Sequence, residues 1–281
     1  MVGRADGQVG VAIKHLESGQ QLAVNGDMLF PMASAFKVPV LVELLYQVKE
    51  GRFGLEDEMT VQKPEQHVGS GMISSLTVPG IKLSVLNMAH FMMMISDNSA
   101  ADILLEKVGA ENINARLKAL GITGMSVNRS CQKLIRDFQA LQSGAKTREQ
   151  RKAAIIKFGE NAEDECTPSA MNTLLEKIFK KEIADPDLSA LAIQIMLKCE
   201  TGEKRIKGEL PRGTVVAHKT GTLAGTVDDC GIIYLPDGQG HVALTVLTKD
   251  FAAETSDVEE IIAKIARFVY DYFYFTSQKP E

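Results

Sequence analysis

The sequence predicts an α+β fold, two-lobed in the α/β manner, in which one antiparallel sheet is built from both chain termini and carries packed helices, with an all-α domain inserted between. Three observations predict it. Short β-branched segments bounded by turn residues lie at both ends of the 281-residue chain. Between them the apolar residues recur every three or four positions, as on helix faces. The last segment is one long apolar stripe of helical period, suited to lie on a sheet.

Taken in order, Val9–His15 and Gln21–Val24 are separated by Ser18-Gly19 and read as a hairpin. After Pro31 a helix is expected, with Phe36, Val40, Leu41, Leu44, Leu45 and Val48 on its buried side and Gly51 near its end. Helices are then expected over Leu83–Met94, Ser99–Val108, Ile113–Leu120, Pro168–Phe179 and Leu188–Cys199. From Gly213 the pattern returns to strands at Thr214–His218, Cys230–Leu235 and Val242–Leu247, with Pro236-Asp-Gly238 turning between the last two. Ser256-Asp-Val-Glu259 has the form of a capping box opening the final helix, whose stripe is Val258, Ile261, Ile262, Ile265, Phe268, Val269 and Tyr272. The expected division is a sheet lobe from residues 1–50 and 211–281 and an all-α lobe from 51–210, forming one unit with a cleft at the seam.

Composition narrows the function. Hydrophobic residues make up 45% and charged residues 24%, which excludes a disordered chain. The formal net charge is −5 and no basic stripe is interleaved with aromatics, so a nucleic-acid partner is not expected. No apolar run approaches the roughly eighteen residues that a membrane span needs. Cys131, Cys166, Cys199 and Cys230 lack metal-site spacing, and the five histidines do not pair, so neither a metal nor a cofactor is expected and the thiols read as buried and free. The start, Met1–Asp6, has no basic or apolar signal region, which leaves a cytosolic chain or one whose signal was removed.

Three motifs carry chemistry. Ser34-Ala-Phe-Lys37 puts a hydroxyl and an amine on one face of a helix start, where burial or a second cation lowers the amine's pKa enough for it to take the hydroxyl proton. Free N–H groups at a helix start also suit a developing oxyanion. Ser130-Cys-Gln-Lys133 and Ser143-Gly-Ala-Lys146 match the same pattern, so companions must decide. Ser96-Asp97-Asn98 lies between two expected helices and presents a hydroxyl and an amide, although Ser96 or Asp97 also reads as an N-cap. Lys219-Thr220-Gly221 ends the expected strand Thr214–His218, and its glycine suits an edge that a ligand approaches closely.

Together the three motifs resemble the class A serine β-lactamases and their penicillin-binding relatives. The similarity extends to Phe30–Pro39, Met94–Asp102 and Asp164–Met171 and covers residues 9–274. It implies that Ser34 is acylated with Lys37 activating it, and that Ser96 relays a proton to the leaving nitrogen. Asn98 would hold the substrate's side-chain amide, and the N–H groups of Ser34 and Thr222 would form the oxyanion hole. Lys219, Thr220, Gly221 and Thr222 would form the substrate-binding edge, with Lys219 and the two hydroxyls on the substrate carboxylate. The implied substrate is a β-lactam or a peptidoglycan-like acyl-D-amino acid, the implied location periplasmic or secreted after signal removal, and the implied state a monomer or dimer. Alternatives on the same fold are a D-Ala-D-Ala peptidase, an esterase and a penicillin sensor without catalysis.

The pattern is departed from at three places. The family's Glu-x-x-Leu-Asn motif, whose Glu positions the deacylating water, is missing, and the corresponding stretch is read as Lys146–Glu163, a charged helix containing Arg148, Glu149, Arg151, Lys152, Lys157, Glu160 and Glu163. Deacylation is therefore expected to be slow or served by another group. The family's helix before the first strand, which covers the sheet face beside the last helix, has no counterpart before Val9, so the expectation is a trimmed chain, a partner subunit covering that surface, or a real deletion. Asp228 and Asp229 stand where some β-lactamases place a carboxylate-binding arginine, so weaker carboxylate binding is expected.

Overall fold

The computed structural model describes residues 7–67, 69–159 and 163–276; Met1–Asp6 and Glu160 lie outside them. The described residues form nine strands and nine α-helices: β1 (Gln8–His15), β2 (Gln21–Val24), β3 (Phe30–Pro31), α1 (Lys37–Lys49), β4 (Glu58–Thr60), β5 (Lys82–Ser84), α2 (Val85–Met94), α3 (Asn98–Val108), α4 (Ala110–Ala119), α5 (Cys131–Gln142), α6 (Arg148–Gly159), β6 (Glu165–Cys166), α7 (Pro168–Phe179), α8 (Pro186–Met196), β7 (Val216–Leu223), β8 (Thr226–Tyr234), β9 (His241–Lys249) and α9 (Thr255–Thr276).

The main sheet has the order β2-β1-β9-β8-β7 and is antiparallel throughout. β1 pairs with β9 from Gln8↔Lys249 to His15↔Val242, so the first and last strands of the chain lie side by side. The residues of β8 and β9 are buried almost without interruption, because both sheet faces are covered. On one face lies α9, which buries Val258, Ile262, Ala266, Val269 and Phe273 against Val9, Val11, Leu244 and Val246. The other face joins the larger core, where α1, α2, α3, α7 and α8 bring together residues such as Leu41, Leu44, Met88, Met92, Leu104 and Leu174. Beside α9 lies an apolar groove lined by Ile13, Leu22, Phe268 and Tyr272.

Three boundaries differ from the sequence expectation, each for a local reason. β7 continues through Lys219-Thr220-Gly221 to Leu223, so that motif lies inside the strand instead of at its end: β8 pairs with it as far as Leu223↔Thr226. The glycine is needed because a Cβ on Gly221 would lie 2.5 Å from the Met32 carbonyl oxygen, so the close neighbour is the chain's own backbone. Ser34 lies on a 3-10 turn, Ala33–Phe36, that precedes α1. The last helix starts at Thr255, which puts Ser256 inside it and removes the capping-box role.

The other two serine-lysine motifs are structural. Ser130 caps α5 by accepting from the Lys133 N–H at 3.1 Å, and Lys133 pairs with Asp137 and Glu163 at the surface; Ser143 and Lys146 are exposed at the end of the same helix. Asp97 is the N-cap of α3. Its Oδ1 accepts from the Ala100 N–H at 2.9 Å, and its Oδ2 accepts from the N–H groups of Met72 (2.6 Å) and Ile73 (2.9 Å). Removing this 1% exposed carboxylate strips a cap and two further backbone donors of their acceptor. Asp97→Ala is expected to lower the unfolding free energy by about 3 kcal/mol, read from denaturant titration.

Candidate active site

Ser34 and Lys37 are three residues apart across the 3-10 turn, where positions i and i+3 eclipse, so both side chains emerge on one side. The turn is entered through Ala33 at φ +40, a left-handed conformation that costs free energy in a residue with a Cβ. It packs against β7, the edge strand of the main sheet, whose outer side has no strand partner among the described residues. Ser34 lines a pocket of about 240 Å³ together with Gly69, Ser70, Asn98, Cys131, Leu134, Ile135, Thr222 and Leu223.

Behind that pocket lie two fully buried lysines. The ammonium of Lys37 donates to the Ser96 carbonyl (2.7 Å), to Ser96 Oγ (3.1 Å) and to Asn98 Oδ1 (3.0 Å). Lys219 donates to the same Ser96 Oγ at 3.0 Å and to the Thr220 carbonyl at 2.8 Å. Ser96 Oγ thus accepts from both amines, which occupies its lone pairs and leaves its own proton for a third direction. The Ser96 backbone is left-handed, φ +58, which is the conformation that turns its carbonyl and hydroxyl to Lys37 together. Burial holds Lys37 below the ordinary lysine range, against the pull of Asp97 and Asp102. Burial and the neighbouring Lys37 bring Lys219 down to about 8. Buried amines of lowered pKa beside hydroxyls can exchange protons near neutral pH, as acyl transfer requires.

Every residue expected at the site falls in this one region: Ser34, Asn98 and Thr222 on the pocket wall, Lys37, Ser96 and Lys219 in the network behind it, and Thr220 and Gly221 along β7. Three further residues were missed. Arg205, 5% exposed, donates to the carbonyls of Gly221 (2.8 Å) and Asp228 (2.9 Å) and to Thr222 Oγ1 (2.7 Å), and pairs with Glu259 at 3.1 Å. A guanidinium therefore stands beside the β7 edge, supplied by the segment before β7 and not by the β8 positions of Asp228 and Asp229. In the sequence Arg205 was one charge in the run Glu203-Lys-Arg-Ile-Lys207, with no sign of burial.

Cys131 is the second. In the stretch Lys146–Glu163, Arg148, Glu149, Arg151, Lys157 and Glu163 are exposed and none of them lines the pocket, whose wall on this side is Cys131, Leu134 and Ile135 of α5. Asp102 fixes Cys131 by accepting from its N–H at 2.6 Å and from that of Gln132 at 2.9 Å. On the other side the buried Arg129–Asp164 ion pair holds the approach to α5, with Asp164 also accepting from the Asn128 and Arg129 N–H groups. Burial pushes the Cys131 thiol up to about 12, so it is neutral. Among the described residues, no carboxylate lines the pocket. The third missed residue is Ser70, for which the flanking Gly69 and Gly71 in a long connection were the available signal.

A family model described as the beta-lactamase enzyme family matches residues 1–273. Among curated proteins, the chain is similar to Beta-lactamase VEB-1 of Pseudomonas aeruginosa, 28% identical over 95% of this chain and 85% of that one. It is also similar to the extended-spectrum beta-lactamase PER-1 of the same organism, 29% identical over 94% and 82%. Among solved structures, a beta-lactamase from Chitinophaga pinensis superposes with a TM-score of 0.84 at 29% identity, covering 96% of each chain. PBP-A superposes with a TM-score of 0.81 at 25% identity, covering 97% of this chain and 92% of that one. With a buried-lysine and serine network at the junction of its sheet edge and helices, and a family match over nearly its whole length, the chain belongs to the beta-lactamase enzyme family.

Proposed function

We propose that β-lactams acylate this chain at Ser34 and that it hydrolyses them with deacylation as the slow step. The observation that carries this is the single network joining Lys37, Ser96, Asn98 and Lys219 behind the pocket lined by Ser34. Neutral Lys37 takes the Ser34 proton as Oγ attacks the lactam carbonyl, and the N–H groups of Ser34 and Thr222 hold the oxyanion. Ser96 passes its proton to the lactam nitrogen as the C–N bond breaks, and is reprotonated by the flanking amines. Lys219 with the hydroxyls of Thr220 and Thr222 binds the substrate carboxylate, and Arg205 adds its charge through Thr222. Water must then attack the acyl carbonyl, which needs a base, and a neutral thiol at Cys131 is a poor one.

Purified protein mixed with a chromogenic cephalosporin and followed by intact mass tests this: one equivalent of adduct should form and persist, with slow turnover. Rapid turnover without a persistent adduct would count against it. Arg205→Ala should weaken apparent substrate affinity by about tenfold, seen as a raised KM or a lowered acylation efficiency, because a charge-assisted anchor is lost.

One observation favours a penicillin-binding reading in which β-lactam hydrolysis is incidental. The chain is as similar in fold to PBP-A, a variant of which was solved as an acyl-enzyme with penicillin G, as to the beta-lactamases. Cleavage of acyl-D-Ala-D-Ala peptides or simple esters faster than of cephalosporins would select it. By the same analogy, the substrate lies outside the cytoplasm and the mature chain is periplasmic or secreted; among the described residues no helix is long and apolar enough to cross a membrane.

A further inference from the structure

We propose that Ser70 is a positioning residue for the lysine base: its hydroxyl takes over the hydrogen bond that Lys37 gives up on becoming neutral. The proposal rests on the assignment of Ser34 and Lys37 made above. As an ammonium, Lys37 has three N–H donors, and Ser96 O, Ser96 Oγ and Asn98 Oδ1 take all three. As a neutral amine it keeps two and must turn its lone pair to the nucleophile. Ser96 Oγ keeps Lys219 as a donor, so the bond whose release is costly is the one to the Ser96 carbonyl or to Asn98 Oδ1, in a network whose residues Ser96 and Asn98 are each 6% exposed. An orphaned buried acceptor is costly and would favour the charged, inactive amine.

Ser70 offsets that cost. Its Oγ lies 2.9 Å from the Ser96 carbonyl and 3.2 Å from Asn98 Oδ1, the same two acceptors that Lys37 uses. One hydroxyl proton serves one of them well, which is the number released. The placement is built in from both sides. The Ser70 carbonyl accepts from the Asn98 N–H at 3.0 Å, and Asp97 Oδ2 holds the Met72 and Ile73 N–H groups just beyond. Gly69 and Gly71 have φ +119 and +113, and a Cβ on them would lie 2.4 Å from Asn98 Nδ2 and 2.2 Å from Asp97 Oδ2. Only glycines let this segment seat a serine against the loop it serves.

Ser70 stands on the pocket side of the network, where in an empty site water can do the same work. A bound substrate displaces that water and leaves the hydroxyl, so the effect belongs to the acylation step and not to binding. The other groups facing Lys37 are the carboxylates of Asp97 and Asp102 at α3, the Cys131 thiol of α5 and Lys219 of β7. They set its starting charge balance, and none of them donates to the two acceptors that Ser70 shares.

The test is the pH profile of the limiting acylation rate with a reporter penicillin, for wild type, Ser70→Ala and Ser70→Thr. Because the neutral amine is the active form, the rate rises with pH through the Lys37 titration, and losing Ser70 favours the charged form. Ser70→Ala should move the rising limb to higher pH by about half a unit to one unit, with the high-pH plateau little changed. Ser70→Thr should restore the wild-type limb, and Ser70→Gly removes the hydroxyl again if the alanine variant fails to fold. A limb unmoved in the folded variant, or a rate lowered equally at every pH, overturns the proposal. Wild-type protein that is never labelled overturns the Ser34 and Lys37 assignment instead, before any variant is compared.

Discussion

Ser34→Ala is expected to abolish covalent labelling by β-lactams, with a loss in acylation rate of at least about 10³-fold. The substitution removes only the Oγ on the wall of the pocket and leaves the network of Lys37, Ser96, Asn98 and Lys219 intact, because no hydrogen bond of that network runs through Ser34. Unfolding stability should therefore stay within about 1 kcal/mol of wild type, as for a small surface-pocket change. Lys37→Ala is a less clean probe. It takes one donor from each of three acceptors of a buried network and leaves a cavity, and instability would mix with lost chemistry. Intact mass after incubation with a penicillin reads the first variant directly, and an undiminished adduct would remove Ser34 from the mechanism.

Cys131→Glu is expected to shorten the lifetime of the acyl adduct by about 10²-fold or more. The position is held by Asp102 through the backbone N–H groups of Cys131 and Gln132, so a new side chain there enters the same pocket from the same helix start. A carboxylate beside two lysines is ionised at neutral pH and can take a proton from water, whereas a thiol pushed up to about 12 cannot. Cys131→Ala supplies the contrast. If the thiol takes no part, the alanine variant keeps the wild-type lifetime; if the thiol itself is the base, its loss lengthens it. Release of label followed after free β-lactam is removed distinguishes the three proteins.

The fold was legible to the extent that it follows from local period. The end strands, the helical middle and α7 at Pro168–Phe179 all follow from apolar spacing and turn residues. What local period cannot carry is register and contact across the chain. Apolar character puts Lys219 at a strand end because it stops at His218, yet the pairing of β7 with β8 continues to Leu223↔Thr226, and cross-strand hydrogen bonds do not depend on side-chain polarity.

The same limit applies to the site. Ser34 and Lys37 are neighbours through one turn, so their spacing announced them, and the three motifs vouched for one another by order. Arg205, Cys131 and Ser70 reach the site through tertiary contacts alone: an arginine in a charged run, a cysteine inside a serine-lysine motif that proves to be a helix cap, and a serine between glycines. Asp97 shows why a residue's two readings need not exclude each other. It caps α3 and, with its second oxygen, holds the segment that carries Ser70.

The most direct test of the central claim is peptide mapping of wild-type protein after a short exposure to a penicillin and removal of the free drug. The acyl group should be found once per chain, on the peptide containing Ser34, and should still be there when turnover of the same drug has become measurable. An adduct on any other peptide, or drug consumed with no adduct at any time, would contradict it.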